Sequence, residues 1–388
     1  MNIIDVFLYA VLTIFTFKLV VHVVLSIGYR FKKTENESTG GWTISIVVPA
    51  YDEEITIAKC IESLLNLDYP EYDVIVVDDG STDRTFEIAK RFETSKVRVI
   101  RQENQGKANA LNNGILLSKG DIVVTVDADT EMRRDSLMMI ARRFAFDHRL
   151  GAVAGNIKVN PAPGLMNALQ ATEYTVGINM IRKSQSMLGC VMIVPGPIAA
   201  IKREAVQQVG LFSDDSFAED FDVTMKLLKV GYRVEYEENA IAYTDAPKNL
   251  EDFMKQRRRW YRGMIQVLAK HRGMFMNPKY GFVGFVSIPN LWFETVSPII
   301  NLALILLAFL SGFYMGGSSI TLVGLITYLG LDTAVGIFAL SLDPVKRLRD
   351  FLAVSLLSFY NIFLDGVRLM SFTEETSSIE MVWEKPRR

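Results

Sequence analysis

Two kinds of apolar run organise the chain. Short runs rich in β-branched residues, Ile44–Val48, Val74–Val77, Val97–Ile100 and Ile122–Val126, begin 30, 23 and 25 residues apart. Between them lie helix-like segments at Glu54–Asn66, Asp83–Phe92 and Lys107–Leu117. Strand patterns alternating with helical ones predict βαβ units and a mostly parallel sheet. A helix at Arg133–Phe146 and a strand at Gly151–Lys158 continue the series, followed by helices at 164–187, Phe217–Val230 and Leu250–Lys270. Residues 43–272 therefore read as one α/β domain.

The long runs predict a membrane. Ile3–Ile27 is mostly apolar over 25 residues, long enough to span a bilayer at 1.5 Å per residue. Arg30, Lys32 and Lys33 follow it and no Lys or Arg precedes it. That order is the reverse of a cleaved signal peptide, and it places the α/β domain in the cytoplasm by the positive-inside rule. After a short linker, 34–41, and the domain comes an aromatic-rich segment, 273–295, suited to a membrane–water interface. Three further spans are expected in 296–370: Val296–Met315, Ile320–Leu342 and Phe351–Met370. The basic loop Asp343–Asp350 is then cytoplasmic, the Gly316–Ser319 turn is outside, and a polar tail, 371–388, ends the chain. The expectation is a multi-pass cell-membrane protein with one N-terminal and three C-terminal helices.

Composition removes several alternatives. With 42 Lys+Arg against 44 Asp+Glu, the net charge is −2, so no nucleic-acid-binding basic field exists. Cys60 and Cys190 cannot form a disulfide framework and read as core thiols. His22, His148 and His271 lack metal-site spacing.

The chemistry lies at the strand ends. In an open α/β sheet the ligand crevice is outside the carboxyl ends of the strands. Asp127-Ala128-Asp129 ends the fourth strand and presents hard oxygen ligands for a divalent cation on phosphates. Tyr51-Asp52-Glu53-Glu54 ends the first and Asp78-Asp79-Gly80-Ser81 the second. An aromatic there can stack on a base, and a carboxylate can accept from a base or ribose. Several carboxylates on one edge repel unless a cation or polar ligand joins them. Lys107 is either a diphosphate contact or a solvated lysine. Glu219-Asp220 supplies either a general base or an acidic first turn favoured by the helix dipole. In Lys255-Gln-Arg-Arg-Arg-Trp-Tyr-Arg262, positions 255, 259 and 262 share one helix face. That face suits phosphate or anionic lipid.

Together these elements resemble the membrane-embedded family 2 glycosyltransferases, the chitin, hyaluronan, cellulose and poly-N-acetylglucosamine synthases. The resemblance covers 43–261, and its most specific motif is Gln256-x-x-Arg259-Trp260. It implies a GT-A type nucleotide-sugar-binding domain. Tyr51, Glu53 and Asp79 would contact uridine, Asp127 the nucleotide sugar with Lys107 near the diphosphate, and Asp129 a Mg2+ or Mn2+ ion. Asp220 would be the base. Gln256 and Arg259 would contact acceptor and diphosphate, Trp260 would stack on the acceptor sugar, and Gly196 and Pro197 would lie near the acceptor end. Asp52 and Ala218 depart from the family's usual Asn and Thr. The implied reaction is inverting transfer from a UDP-sugar, with N-acetylglucosamine the first choice, to a growing polysaccharide. A lipid-linked acceptor receiving one sugar is the alternative, and a non-catalytic scaffold or transporter a more distant one. Four spans are few for a polymer channel, which leaves interface helices or a second subunit, a homo-oligomer or an accessory export subunit, open. Asp332, inside an expected span, is an ionisable group of the kind that is usually functional there.

Overall fold

The computed structural model describes residues 3–32, 40–314 and 319–380. Lys33, most of the 34–41 linker, the 316–318 turn and tail residues 381–388 lie outside that set. Helix α1, Ile3–Arg30, enters the α/β domain. There β1 (Ile44–Ala50), α2 (Ile57–Leu65), β2 (Tyr72–Asp79), α3 (Thr85–Lys90), β3 (Val97–Gln102), α4 (Lys107–Leu117) and β4 (Ile122–Thr125) follow the anticipated alternation. Every residue of β1 and β4 is buried, as expected of strands covered on both faces.

Next come β5 (Thr130–Met132), α5 (Ser136–Phe146), β6 (Leu150–Val159), α6 (Leu165–Glu173) and α7 (Met180–Met187), the last two joined by a π-helical turn at Tyr174–Asn179. Then β7 (Ala199–Lys202), α8 (Arg203–Gln208), α9 (Glu219–Lys229), β8 (Arg233–Thr244) and α10 (Leu250–Lys270) complete the domain. The eight strands form one sheet in the order β3-β2-β1-β4-β7-β6-β8-β5. β1, β2, β3 and β4 are parallel to one another, and β6 is parallel to β8. β7 runs antiparallel to both β4 and β6, and β5 antiparallel to β8. The register Ala50↔Asp78 and Val47↔Thr125 brings three acidic strand ends to one edge.

Strand β8 is not visible in the hydrophobic pattern because its Glu235 and Glu237 are buried. Arg143 of α5 satisfies them, with Nε 2.6 Å from Glu237. The same arginine donates to the Tyr29 hydroxyl at 2.8 Å, and that hydroxyl donates to the Tyr236 carbonyl. A polar cluster thus ties the end of α1 to the sheet.

Beyond the domain are α11 (Ile288–Tyr314), α12 (Ser319–Leu342), α13 (Leu348–Ala353) and α14 (Leu357–Thr376). Among the described residues, two stretches are long and apolar enough to cross a membrane, Val283–Ala303 and Leu348–Thr376, and Leu329–Leu342 is a shorter apolar helix. Asp332 of α12 accepts from the Ser358 hydroxyl of α14 at 2.6 Å, so it has a partner on a neighbouring helix. It also faces a cavity of about 220 Å³ shared with Lys18, His22, Glu173 and Asn361. Helix α14 lies along α10: Phe253 stacks on Phe363 at 6.3 Å between centroids, and Arg258 pairs with Glu374 at 2.6 Å.

Candidate active site

The site assembles around Gly196, in the turn before β7. Its N–H donates to Asp220 Oδ2 at 3.3 Å, and its carbonyl accepts from Thr125 on β4 at 3.1 Å. A Cβ here would lie 2.8 Å from Lys107 Nζ and 3.4 Å from both Asp127 oxygens. Glycine is what allows the turn to lie against those charged groups. Lys107, on the first turn of α4, reaches Asp127 Oδ1 at 2.6 Å and Glu219 Oε1 at 3.3 Å. Burial lowers its affinity for a proton, but the two carboxylates outweigh burial and raise it. Lys107 is thus no solvated surface lysine.

Asp220 opens α9, where its Oδ1 accepts from the Phe221 N–H at 2.8 Å. Burial and then the Glu219 charge push its carboxyl up to about 6, against the opposing pull of Lys107. A carboxylate tuned toward neutral pH is suited to general base work. Asp129 stands two residues beyond Asp127 with its Oδ1 3.2 Å from the Thr130 hydroxyl. Among the described residues no group of three or more Cys, His, Asp or Glu gathers as a metal cage.

At the end of β1, Asp52 has φ 53°, a left-handed conformation that Asp and Asn tolerate best among side-chain-bearing residues. Its Oδ1 accepts the Thr82 N–H at 2.7 Å, a role Asn fills equally well, which accounts for that departure from the family pattern. Glu53 accepts from Thr56 at 2.7 Å. Asp79 is 3% exposed and its oxygens accept from Gln102 Nε2, Gln105 N and Gly106 N at 2.7 to 2.9 Å. Its observed contacts hold the loop that carries Lys107. Asp78 is fully buried and pairs with Arg101 at 3.1 Å.

Helix α10 carries Gln256, Arg259 and Trp260, and one buried residue that sequence reasoning missed. Arg257 is fully buried, paired with Glu173 at 2.6 Å, and its guanidinium lies 4.3 Å from the Trp260 ring centroid. Trp260 also meets Tyr174 of the π-helical turn at 6.4 Å. Helix-face counting singled out 255, 259 and 262, and nothing in the spacing marked Arg257 or its partner Glu173. Arg258 and Arg262 pair with Glu374 and Glu375, so these two are engaged by protein carboxylates. Gln256 lies beside Arg257, 3.5 Å from its Nη1, and the charge of Arg259 is felt by Lys107. Gly263 lies where a Cβ would be 2.8 Å from the Ala218 Cβ. This small pair lets α10 approach the loop before Asp220. Pro197 is half-buried beside Gly196.

A mostly parallel sheet with acidic strand ends, a lysine paired with Asp127 and a perturbed aspartate beside it is the arrangement of a GT-A-like glycosyltransferase domain. Residues 45–210 match glycosyl transferase family 2, and residues 209–271 match the chitin synthase-like glycosyltransferase domain. The α/β domain thus carries a family 2 glycosyltransferase match over residues 45–210. It is 35% identical over 229 residues to a poly-beta-1,6-N-acetyl-D-glucosamine synthase of Staphylococcus aureus strain COL, covering 58% of this chain and 56% of that protein. The Staphylococcus epidermidis synthase of the same description is 33% identical over 240 residues, 61% of this chain and 58% of that one. The chain therefore matches a little over half the length of these curated relatives. Its fold is similar to that of a mannosyltransferase from Pyrobaculum calidifontis solved with GDP-Man and Mn2+. That likeness has a TM-score of 0.66 at 21% identity and covers 96% of this chain and 99% of that one.

Proposed function

We propose that the protein is an inverting, processive glycosyltransferase that moves N-acetylglucosamine from UDP-N-acetylglucosamine to a growing polysaccharide at the cytoplasmic face of a membrane. One observation carries the reading: a single glycine, Gly196, touches both Asp220 and the Lys107–Asp127 pair. A base and a donor-side charge pair within one residue of each other are what an in-line displacement at an anomeric carbon needs. Asp220 takes the acceptor hydroxyl's proton as that oxygen attacks. Lys107 and Arg259 meet the charge growing on the departing diphosphate. Tyr51 and Glu53 face the nucleoside, and Asp79 acts by holding the Gln105–Lys107 turn. Gln256 and Trp260, with Gly196 and Pro197, border the acceptor. The acceptor preference for a polymer rests on the Gln256-x-x-Arg259-Trp260 motif and on the synthase relatives.

Asp127 and Asp129 fit a divalent cation. Two carboxylate donors are the set expected when Mg2+ or Mn2+ completes its sphere with diphosphate and water rather than inside a protein cage. Such an ion, when bound, neutralises leaving-group charge. Asp129, two residues beyond Asp127 at the end of β4, is the residue that would hold it. In the membrane, α1, α11, α12 and the α13–α14 stretch are the proposed crossings, with interface helices, a second copy or an accessory subunit needed to complete any polymer conduit.

The test is UDP release from a panel of UDP-sugars by the protein in lipid. Release from UDP-N-acetylglucosamine that depends on Mg2+ or Mn2+ and is lost in Asp220→Asn supports the reading. Preference for another UDP-sugar overturns the donor, and release unaffected by Asp220→Asn overturns the base.

A further inference from the structure

We propose that Asn112 is a positioning residue for sugar transfer: it ties the loop ahead of Asp220 to α4, the helix that opens on Lys107, and so fixes the base relative to the donor's diphosphate. That role rests on those proposed above for Asp220 and Lys107.

The loop, residues 209–218, leaves α8 through a strained turn. Leu211 has φ 64°, and a bulky side chain in the left-handed region persists where surrounding contacts impose it. Three helices supply those contacts. From α9, Lys226 Nζ donates to the Leu211 carbonyl at 3.1 Å and to the Ser213 hydroxyl at 2.5 Å. From α10, Gln266 Oε1 accepts from the Phe217 N–H at 3.0 Å. From α4, Asn112 Nδ2 donates to the Phe212 carbonyl at 2.9 Å while its Oδ1 accepts from the Phe212 N–H at 3.0 Å. Asn109 adds a bond to Asp214 at 3.2 Å, but Asp214 is exposed.

An amide side chain carries a donor and an acceptor in one plane, so the two Asn112 bonds fix the Phe212 peptide in both height and direction. Phe212 is buried in the same apolar cluster as Ala108 and Leu111 of α4, which shelters the bonds from water. The Lys107–Glu219 pair also joins α4 to the element of the base, at 3.3 Å. A diphosphate that draws on Lys107 weakens that pair. The Asn112 bonds involve no donor contact, so they keep Asp220 in register when the donor is present. The next residue faces the opposite side of the site: Asn113 donates to Gln102 Oε1 at 2.5 Å, and Gln102 donates to Asp79 at 2.7 Å. Consecutive asparagines thus make α4 the common reference for the end of β2 and for the loop of the base.

The test is a double-mutant cycle in the full-length protein in lipid, read as UDP release from the UDP-sugar most active in the panel above. Wild type, Asn112→Ala, Asp220→Asn and the double variant are compared. Asn112→Ala should lower kcat about 10²-fold, with the KM for the UDP-sugar nearly unchanged. In the double variant it should add less than about twofold to the loss from Asp220→Asn, because residues that act as a unit are not additive. Destabilisation alone would shrink the active fraction equally in both backgrounds. A full further loss in the double variant, a raised KM at unchanged kcat, or wild-type turnover in Asn112→Ala overturns the proposal. Asn112→Asp, which retains the bond from the Phe212 N–H, is read in the same two backgrounds if the alanine variant does not fold. Wild-type turnover in Asp220→Asn would overturn the base reading itself, a result distinguishable because it appears with Asn112 intact.

Discussion

Asp220 carries two opposed demands, and they make its role measurable. Its carboxyl is raised to about 6 by burial and Glu219, so the folded state favours the protonated form. The stability it contributes is present below the unfolded aspartate value and is lost as pH rises through about 6. Catalysis needs the ionised form. Transfer should therefore fall as pH drops through about 6. Asp220→Asn should lower transfer by about 10²–10⁴ while raising the melting temperature at pH 7.5. A purely structural aspartate would lose stability on that change. Gly196→Ala is the complementary probe, because its new methyl would meet Lys107 and Asp127. We expect a raised KM for the UDP-sugar with the fold intact by circular dichroism. The strand-end acids and Asp220 were legible in the sequence because polar residues interrupt apolar runs there. Arg257 was not, since a charged residue on a basic helix gives no sign of facing inward until Glu173 is known to meet it.

Among the elements, α10 divides its arginines between tasks. Arg257 is fully buried against Glu173, and removing one partner of a buried pair costs about 3–5 kcal/mol. Arg257→Ala should accordingly lower the midpoint of thermal or denaturant unfolding, with activity lost as a consequence. Arg259→Ala should leave that midpoint unchanged and cut turnover on the order of 10²–10³. Comparing unfolding midpoints with initial rates for the two variants separates the roles. The parallel half of the sheet could be read from the spacing of β-branched runs, and α4 and α10 were bounded correctly. Strand β8 could not, because Glu235 and Glu237 are buried against Arg143 and break the alternation on which strand reading depends.

For the molecule as a whole, the central claim is processive addition of N-acetylglucosamine, and Trp260 is where polymer and single addition diverge. Its ring meets Tyr174 and Arg257, so it is held rigid, as the proposed role of a fixed platform for a growing chain requires. A single transfer to a lipid carrier has little need of it. The most direct measurement is the size of the labelled product made from UDP-N-acetyl[¹⁴C]glucosamine by the protein in lipid, for the wild type and for Trp260→Ala. The account predicts a ladder or high polymer from the wild type, shortened or absent in Trp260→Ala. A single labelled lipid, formed equally well by both proteins, would contradict it.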